Sequence, residues 1–183
     1  METCHDLYQR KLVSGKGGNI SCKYNDSEHS DIFITGSGTS FKDIKNKDVL
    51  ITDMSGQVLS GYGKPSSELG MHLAIYKKRT DLNCIIHTHS PYASGYAFSE
   101  RKLKRLEGFG TIENDYISTV DYAPPGSAKL ANYASKVMEK ENVVLLKNHG
   151  VITAGKDIDE ATLLAEFIEE SAKIQLFSYI LSL

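Results

Sequence analysis

An apolar segment that ends in two histidines, Cys84-Ile85-Ile86-His87-Thr88-His89, constrains the fold of this chain more than any other feature. The apolar residues predict a buried β-strand, and because side chains alternate along a strand, His87 and His89 leave one face while Thr88 leaves the other. Two imidazoles on one face can bind one metal ion, but a site that stays open to substrate needs a third protein ligand. Taken alone, the pair could equally be two histidines that face solvent at a strand end.

The third candidate ligand is His149, which stands between two apolar segments, residues 143–146 and 151–153. If these are neighbouring strands of one sheet, they can bring the three histidines together. Glu68 is the carboxylate that we choose to complete the set, because it lies in the first turn of a predicted helix that leads directly into the histidine strand. The alternative is that Glu68 only complements the helix dipole. Three histidines and a carboxylate suit zinc or a similar divalent metal.

The patterns along the chain predict helices that cover a mainly antiparallel sheet, in one domain over residues 1–183. A helix is predicted over residues 3–13, followed by strands at 19–24, 31–35, 49–52 and 57–59, with a polar hairpin turn at 25–28. Later helices are predicted from their starting signals: Ser66 or Ser67 as an N-cap, Ser90-Pro91, Ser127, and the capping box Asp157-x-x-Glu160. The last helix runs to the end of the chain, and its apolar residues exceed one stripe, so we expect a subunit interface to cover it.

Composition limits the classes of partner. The net charge of −2 and the pI near 6.3 leave no basic excess with which to bind nucleic acid or an anionic membrane. No apolar stretch reaches the roughly 20 residues that span a bilayer, and the first residues do not resemble a signal peptide. The three cysteines show no zinc-finger spacing and are interpreted as reduced thiols. We therefore expect a cytoplasmic protein without a membrane or nucleic-acid partner.

Three short stretches supply small residues and backbone amides that could bind a phosphate: Gly17-Gly18-Asn19, Thr35-Gly36-Ser37-Gly38 and Ser66-Ser67. Singly each is weak evidence, because glycine turns commonly end strands and serines commonly cap helices. Their occurrence together with a candidate metal set is stronger evidence for a phosphorylated ligand.

Five motifs occur in an order typical of one known family: Gly17-Gly18-Asn19-Ile20-Ser21, Thr35-Gly36, Lys64-Pro65-Ser66-Ser67-Glu68, His87-Thr88-His89 and Asn148-His149-Gly150. Over nearly its whole length the chain resembles the class II aldolase and adducin head family, and within it the fuculose-phosphate aldolases. The resemblance implies a three-layer α/β/α fold and a cyclic homotetramer with sites between subunits. It also implies one zinc ion per subunit on His87, His89 and His149 with Glu68 nearby, and phosphate bound by Gly18, Asn19, Thr35, Gly36, Ser66 and Ser67.

The activity that the resemblance implies is reversible cleavage of a ketose 1-phosphate, such as L-fuculose 1-phosphate, to dihydroxyacetone phosphate and a short aldehyde such as lactaldehyde. Glu68 would exchange the proton on the carbon that becomes the nucleophile in synthesis. One alternative is a pentulose-phosphate 4-epimerase, which typically carries Asp where this chain has Glu68. Others are a sugar-phosphate dehydratase and a non-catalytic module like the adducin head, although retention of all three histidines argues against the last.

The chain departs from the family at the proton donor to the aldehyde oxygen. Fuculose-phosphate aldolases use a tyrosine from a neighbouring subunit, and aligning residues 117–123 with the matching strand puts that position within residues 106–109, which contain no tyrosine. Tyr116 is the nearest phenol in sequence, so we assign it as the replacement acid. The alternative is that Tyr116 is an aromatic residue at a strand edge.

Overall fold

The structure, a computed structural model, describes residues 1–25, 30–106 and 114–183. Within these ranges the helices are α1 Glu2–Gln9, α2 Leu69–Lys78, α3 Pro91–Ala97, α4 Ala128–Val137 and α5 Ile158–Leu181, with a short 3-10 helix at Asn46–Asp48. The strands are β1 Asn19–Asn25, β2 Ser30–Thr35, β3 Val49–Thr52, β4 Val58–Ser60, β5 Cys84–Thr88, β6 Thr119–Val120, β7 Val143–Leu146 and β8 Gly150–Gly155.

All of these strands form one sheet in the order β4-β3-β2-β1-β5-β8-β7-β6. Every neighbouring pair is antiparallel except β6 and β7, which are parallel. This confirms the predicted mainly antiparallel sheet. The two predicted histidine-bearing regions lie at its centre, because β5 pairs with β8 and β8 pairs with β7.

Side-chain alternation in the central strands divides the core into two layers. Ile85 and Ile152 pack on one face of the sheet with residues of α2 and α4. Ile86 packs on the other face with residues of α1 and α5, and Val151 packs there with α3 and α5. Since both faces bury apolar side chains under helices, the architecture is the expected three-layer α/β/α arrangement.

The start of α2 differs from the prediction that Ser66 or Ser67 is its N-cap. Glu68 occupies the N-cap position, no side chain caps the helix there, and the first helical residue is Leu69. The Ser66 hydroxyl instead accepts a hydrogen bond from the Glu68 amide at 3.3 Å, just before the helix begins. The Glu68 side chain is turned towards Asn19 and the histidines rather than towards its own helix.

The other predicted helix starts are confirmed, one of them in part. Ser127 accepts a hydrogen bond from the Leu130 amide, as an N-cap does. Asp157 accepts from the Glu160 amide, but the Glu160 carboxylate accepts from Lys156 and not from Asp157, so only half of the capping box forms. Strands β1 and β2 pair antiparallel, as the predicted hairpin requires, and the turn predicted at 25–28 lies outside the described residues except for residue 25.

Helix α5 continues well beyond its own core. Its buried residues end at Ala172. Past that point many apolar side chains are exposed in the described part of the chain: Ile174, Leu176, Phe177, Tyr179, Ile180, Leu181 and Leu183. Although it is the most apolar long segment, neither α5 nor any other helix in the described ranges has the length and hydropathy needed to cross a membrane.

Candidate active site

The structure brings together the three predicted histidines. His87 lies near the end of β5, His89 follows it, and His149 lies in the turn between β7 and β8. The Nε2 atoms of His87 and His89 are 2.9 Å apart, and the ring centroids of His87 and His149 are 4.7 Å apart. One ring nitrogen from each residue falls in a group whose members all lie within 4.8 Å of one another. This spacing is suitable for three ligands of one ion.

A tight turn after β7 positions His149. Asn148 takes a left-handed backbone conformation, with φ of 55°, and the His149 amide donates to the Leu146 carbonyl at 3.0 Å. Gly150 then lets β8 run close to the end of β5. A Cβ atom on Gly150 would lie 2.4 Å from the Thr88 carbonyl oxygen and 2.9 Å from Cδ2 of His89. Any side chain at position 150 would therefore push the histidine-bearing segments apart.

His87 is held in the tautomer that a metal ligand needs. Its Nδ1 lies 2.9 Å from the Val151 carbonyl oxygen, and since a carbonyl can only accept, Nδ1 carries the hydrogen. The Nε2 lone pair of the neutral ring is then free to bind a cation. Burial, with the nearby His89 and His149, lowers the pKa of His87 well below its ordinary value, and burial also lowers the pKa of His89. Both rings therefore stay neutral at pH 7.

Glu68 lies against the histidines and is 5% exposed. Its Oε2 is 3.1 Å from Nε2 of His87 and accepts a hydrogen bond from the Asn19 side-chain amide at 3.2 Å. Its Oε1 is 3.6 Å from Nε2 of His149 and has no hydrogen-bond donor among the described residues. An incompletely paired carboxylate is costly to bury unless a positive charge is nearby. A divalent ion among the three imidazoles would supply that charge, so these residues fit a metal centre.

The three candidate phosphate-binding stretches converge beside this centre. Asn19 is directly opposite His87 in the register of β1 and β5. The Thr35 hydroxyl accepts from the Ile20 amide at 3.2 Å, and the Ser66 amide donates to the Thr35 carbonyl at 3.1 Å. The sheet thus places stretches that are far apart in sequence next to one another.

Some of the predicted phosphate donors already have partners within the protein. The Gly36 backbone amide donates to the Asp48 carbonyl at 2.7 Å. The Asn19 side-chain amide donates to the Glu68 carboxylate. The Thr35 and Ser66 hydroxyls each accept a hydrogen bond and keep their own hydrogens to donate.

The other predicted members of this set, Gly18 and Ser67, are at least partly accessible to solvent. Gly18 adopts a φ of +80°, and a Cβ there would lie 2.9 Å from the His87 carbonyl oxygen, so β1 enters the site closely packed against β5.

Tyr116, the predicted proton donor, is 39% exposed and pairs with Lys104 in an isolated bridge. It lines a groove of about 760 Å³ together with Gln175 and Tyr179 of α5. The position where the family's own tyrosine is expected, residues 106–109, lies outside the described residues except for residue 106. A role for Tyr116 at a metal centre requires a second subunit and stays a prediction.

A buried polar network beside Glu68 was missed in the sequence. His72 is fully buried, and its Nδ1 is 2.7 Å from the Ser21 hydroxyl, which is 2.9 Å from the Tyr76 hydroxyl. The Glu68 carboxylate lies within 4.0 Å of His87 and His149 and forms no such contact with His72. Burial lowers the pKa of His72 to about 3. The alternation of β1 puts Asn19 and Ser21 on one face, which was the available signal.

Comparison with known proteins gives one consistent result. A model of the family described as Class II Aldolase and Adducin N-terminal domain matches residues 1–176. The L-fuculose phosphate aldolase of Methanococcus maripaludis strain C7 is 41% identical over 174 residues, which cover 95% of this chain and 92% of that protein. A 5-deoxy-D-ribulose 1-phosphate aldolase of Bacillus thuringiensis serovar kurstaki is 38% identical over 91% of this chain and 80% of its own length.

Among solved structures, an L-fuculose 1-phosphate aldolase superposes with a TM-score of 0.89 at 32% identity, over 98% of this chain and 84% of that one. The aldolases named above differ in the sugar, and a further relative from Haemophilus influenzae, 30% identical over 92% of this chain and 80% of its own length, is named a 3-oxo-tetronate 4-phosphate decarboxylase, so the similar proteins include more than one activity.

Proposed function

Because the chain belongs to the class II aldolase and adducin N-terminal domain family, we propose that it is a metal-dependent aldolase that reversibly cleaves a ketose 1-phosphate. The first candidate substrate is L-fuculose 1-phosphate, with dihydroxyacetone phosphate and lactaldehyde as products. The observation that most supports this proposal is the position of Glu68. Its carboxylate lies 3.1 Å from His87, which belongs to a group of three histidines that could bind a metal ion.

The metal is proposed to be zinc, one ion per subunit, bound by His87, His89 and His149, with Glu68 beside it. Neutral imidazoles favour late first-row divalent ions, and another such ion could substitute. When bound, the ion supplies a positive charge that stabilises the negative charge developing beside the ketone as the carbon–carbon bond breaks.

Glu68 is proposed as the group that moves the proton on carbon. In cleavage it delivers a proton to the carbon that loses its bonding partner, and in synthesis it removes that proton. The Asn19 amide donates to one carboxylate oxygen, which leaves the other oxygen without a donor among the described residues and thus available to hold a proton. This arrangement fixes the orientation of the base before substrate arrives.

The substrate phosphate is proposed to bind Gly18, Asn19, Thr35, Gly36, Ser66 and Ser67. The hydroxyls of Thr35 and Ser66 are donors well placed to bind phosphate, since each accepts a hydrogen bond and keeps its own hydrogen, and the exposed Ser67 follows Ser66 in the chain. The phosphate is remote from the bond that breaks, so its binding energy can orient the reacting carbons over Glu68. We propose a cytoplasmic location for the enzyme, because phosphorylated sugars are intracellular metabolites.

The remaining proton belongs to the oxygen that becomes the aldehyde, and we assign it to Tyr116 of a neighbouring subunit. The assembly is proposed to be a homotetramer in which the apolar residues beyond Ala172 of α5 are buried against another copy. Tyr116 shares a groove with Tyr179 of that same helix, so a partner that covers α5 would also approach Tyr116.

A substrate panel tests the proposal against its alternatives. Metal-loaded protein is incubated with L-fuculose 1-phosphate, 5-deoxy-D-ribulose 1-phosphate, L-ribulose 5-phosphate and the unphosphorylated ketoses. Aldehyde release, epimer formation and loss of water are assayed separately. Aldehyde release from a ketose 1-phosphate is expected, with much weaker activity on the unphosphorylated sugars. Epimer without aldehyde would indicate the epimerase, water loss the dehydratase, and no turnover of any sugar the non-catalytic module.

A further inference from the structure

Two cysteines on neighbouring strands face each other behind the candidate active site. Cys22 of β1 and Cys84 of β5 are directly opposite in the antiparallel register. Their Sγ atoms are 2.8 Å apart, well inside the normal contact distance of two sulfur atoms that are not bonded. A disulfide bond is about 2.05 Å long, so the two sulfurs need approach by less than about 1 Å.

The backbone geometry of this pair also suits a disulfide. The Lys23 amide donates to the Asn83 carbonyl at 2.7 Å. Lys23 and Asn83, next to the two cysteines, are therefore a hydrogen-bonded pair. Because hydrogen-bonded and non-hydrogen-bonded pairs alternate, Cys22 and Cys84 form a non-hydrogen-bonded pair, with Cα atoms expected about 4.5 Å apart. That spacing lies within the range of roughly 4.4 to 6.8 Å that disulfides require.

The two thiols differ in environment as an attacking and a resolving cysteine do. Cys22 is partly exposed, whereas Cys84 is buried. The hydrogen bond from Cys84 lowers the pKa of Cys22, and the same contact together with burial raises the pKa of Cys84. The accessible thiol is thus also the one that ionises more readily.

We propose that Cys22 and Cys84 are an oxidisable pair that forms a reversible cross-strand disulfide by exchange with a small disulfide of the glutathione class. The Cys22 thiolate attacks one sulfur of that disulfide and releases one small thiol. The Cys84 thiolate then displaces the second small thiol and forms the protein disulfide. Overall, two protein thiols are oxidised and one small disulfide is reduced to two thiols, which take up the two protons. This inference does not depend on the proposed aldolase activity.

The bond would join β1 to β5 on the face of the sheet that packs against α1 and α5, since Cys84 shares its core cluster with Leu7 and Ala165. His87 leaves the opposite face of β5. The disulfide would therefore link the strand that carries Asn19 to the strand that carries His87. It would contact neither of these two side chains. Closing a loop of roughly 60 residues should raise the melting temperature by about 10 °C.

The test uses the full chain, incubated with reduced or oxidised glutathione. Free thiols are counted in denaturant, the intact mass is measured, and the disulfide is located by peptide mapping. The wild type and Cys4→Ser are each compared with Cys22→Ser. Cys4 is a matched control, because it is a buried cysteine on α1 in the same core cluster, whereas the close sulfur contact joins Cys22 and Cys84.

Oxidation of the wild type is expected to remove two of the three thiols, lower the mass by about 2 Da and link the peptides that contain Cys22 and Cys84. The change should reverse with dithiothreitol, occur equally in Cys4→Ser apart from the missing thiol, and be absent in Cys22→Ser. Three free thiols after oxidation, a stable glutathione adduct on Cys22, or only intermolecular disulfides would each overturn the inference.

Discussion

The side-chain amide of Asn19 donates a hydrogen bond to Oε2 of Glu68 at 3.2 Å, between the first residue of β1 and the N-cap of α2. The same oxygen lies 3.1 Å from Nε2 of His87. Two segments separated by 49 residues thus meet at the carboxylate that the proposed mechanism uses as its base. Asn19 was predicted as a phosphate ligand, so its two possible roles can be separated by kinetics.

Asn19→Ala is expected to lower kcat about tenfold or more, because the Glu68 carboxylate loses the donor that fixes its orientation. If Asn19 acted on the phosphate alone, KM would rise while kcat stayed near the wild-type value. Steady-state kinetics with a ketose 1-phosphate distinguishes these results, with Asn132→Ala on the exposed side of α4 as the control. A pure KM effect would contradict the positioning role.

The purified protein is expected to contain about one divalent ion per chain. His89→Ala removes the most accessible of the three imidazole ligands, so the fold should survive while the metal content falls below about a tenth. His5→Ala on α1 is the control. Elemental analysis after gel filtration gives the answer, and full aldol activity in metal-free protein that a chelator does not reduce would contradict the metal centre.

The stability of the metal-free protein should fall in acid because of His72. Its pKa is lowered by burial from 6.5 to about 3, so the folded state keeps it neutral while the unfolded chain protonates below pH 6.5. The contribution is therefore fully present above pH 6.5 and is lost as the pH falls towards 3. Between pH 7.5 and pH 5 the loss is about 2 kcal/mol. Urea unfolding in chelator should show this difference in the wild type and a smaller one in His72→Gln, and equal slopes would contradict the assignment.

Much of the site was predictable because its parts are local. The alternation of β5 places His87 and His89 on one face, and the apolar segments around His149 predicted the strands that deliver it. The N-cap of α2 was not predictable, because the Glu68 side chain is drawn to Asn19 and His87, which are distant in sequence.

Contacts that depend on how distant segments pack together could not be predicted from the sequence either. The contact of Cys22 with Cys84 follows from β1 lying beside β5, and that of His72 with Ser21 follows from α2 packing against one face of β1, neither of which a short motif encodes. A one-residue slip would reverse both sets of side chains.

Tyr116→Phe is expected to lower turnover roughly 10²-fold, because only the proposed proton donor to the aldehyde oxygen is lost. Metal content, measured by elemental analysis, and the proposed tetramer, measured by sedimentation equilibrium at micromolar concentration, should be unchanged. Tyr24→Phe, which alters another exposed phenol, is the control. Unchanged turnover in Tyr116→Phe would assign the proton to solvent or another tyrosine, and a wild type that sediments only as a monomer would contradict the shared site itself.

The most direct test of the central claim is the cleavage rate of Glu68→Gln with its metal content measured in the same preparation. The substitution keeps the shape and the hydrogen bond at Oε2 but removes the group that takes up the proton. We predict a kcat lower by roughly 10²- to 10⁴-fold, with the phosphate affinity close to that of the wild type. The metal should remain bound, since the three imidazoles are intact, and Glu170→Gln on the exposed side of α5 should behave as the wild type. Near-normal turnover by metal-loaded Glu68→Gln would contradict the account and leave Glu68 as an acid that only complements the N-terminus of its helix.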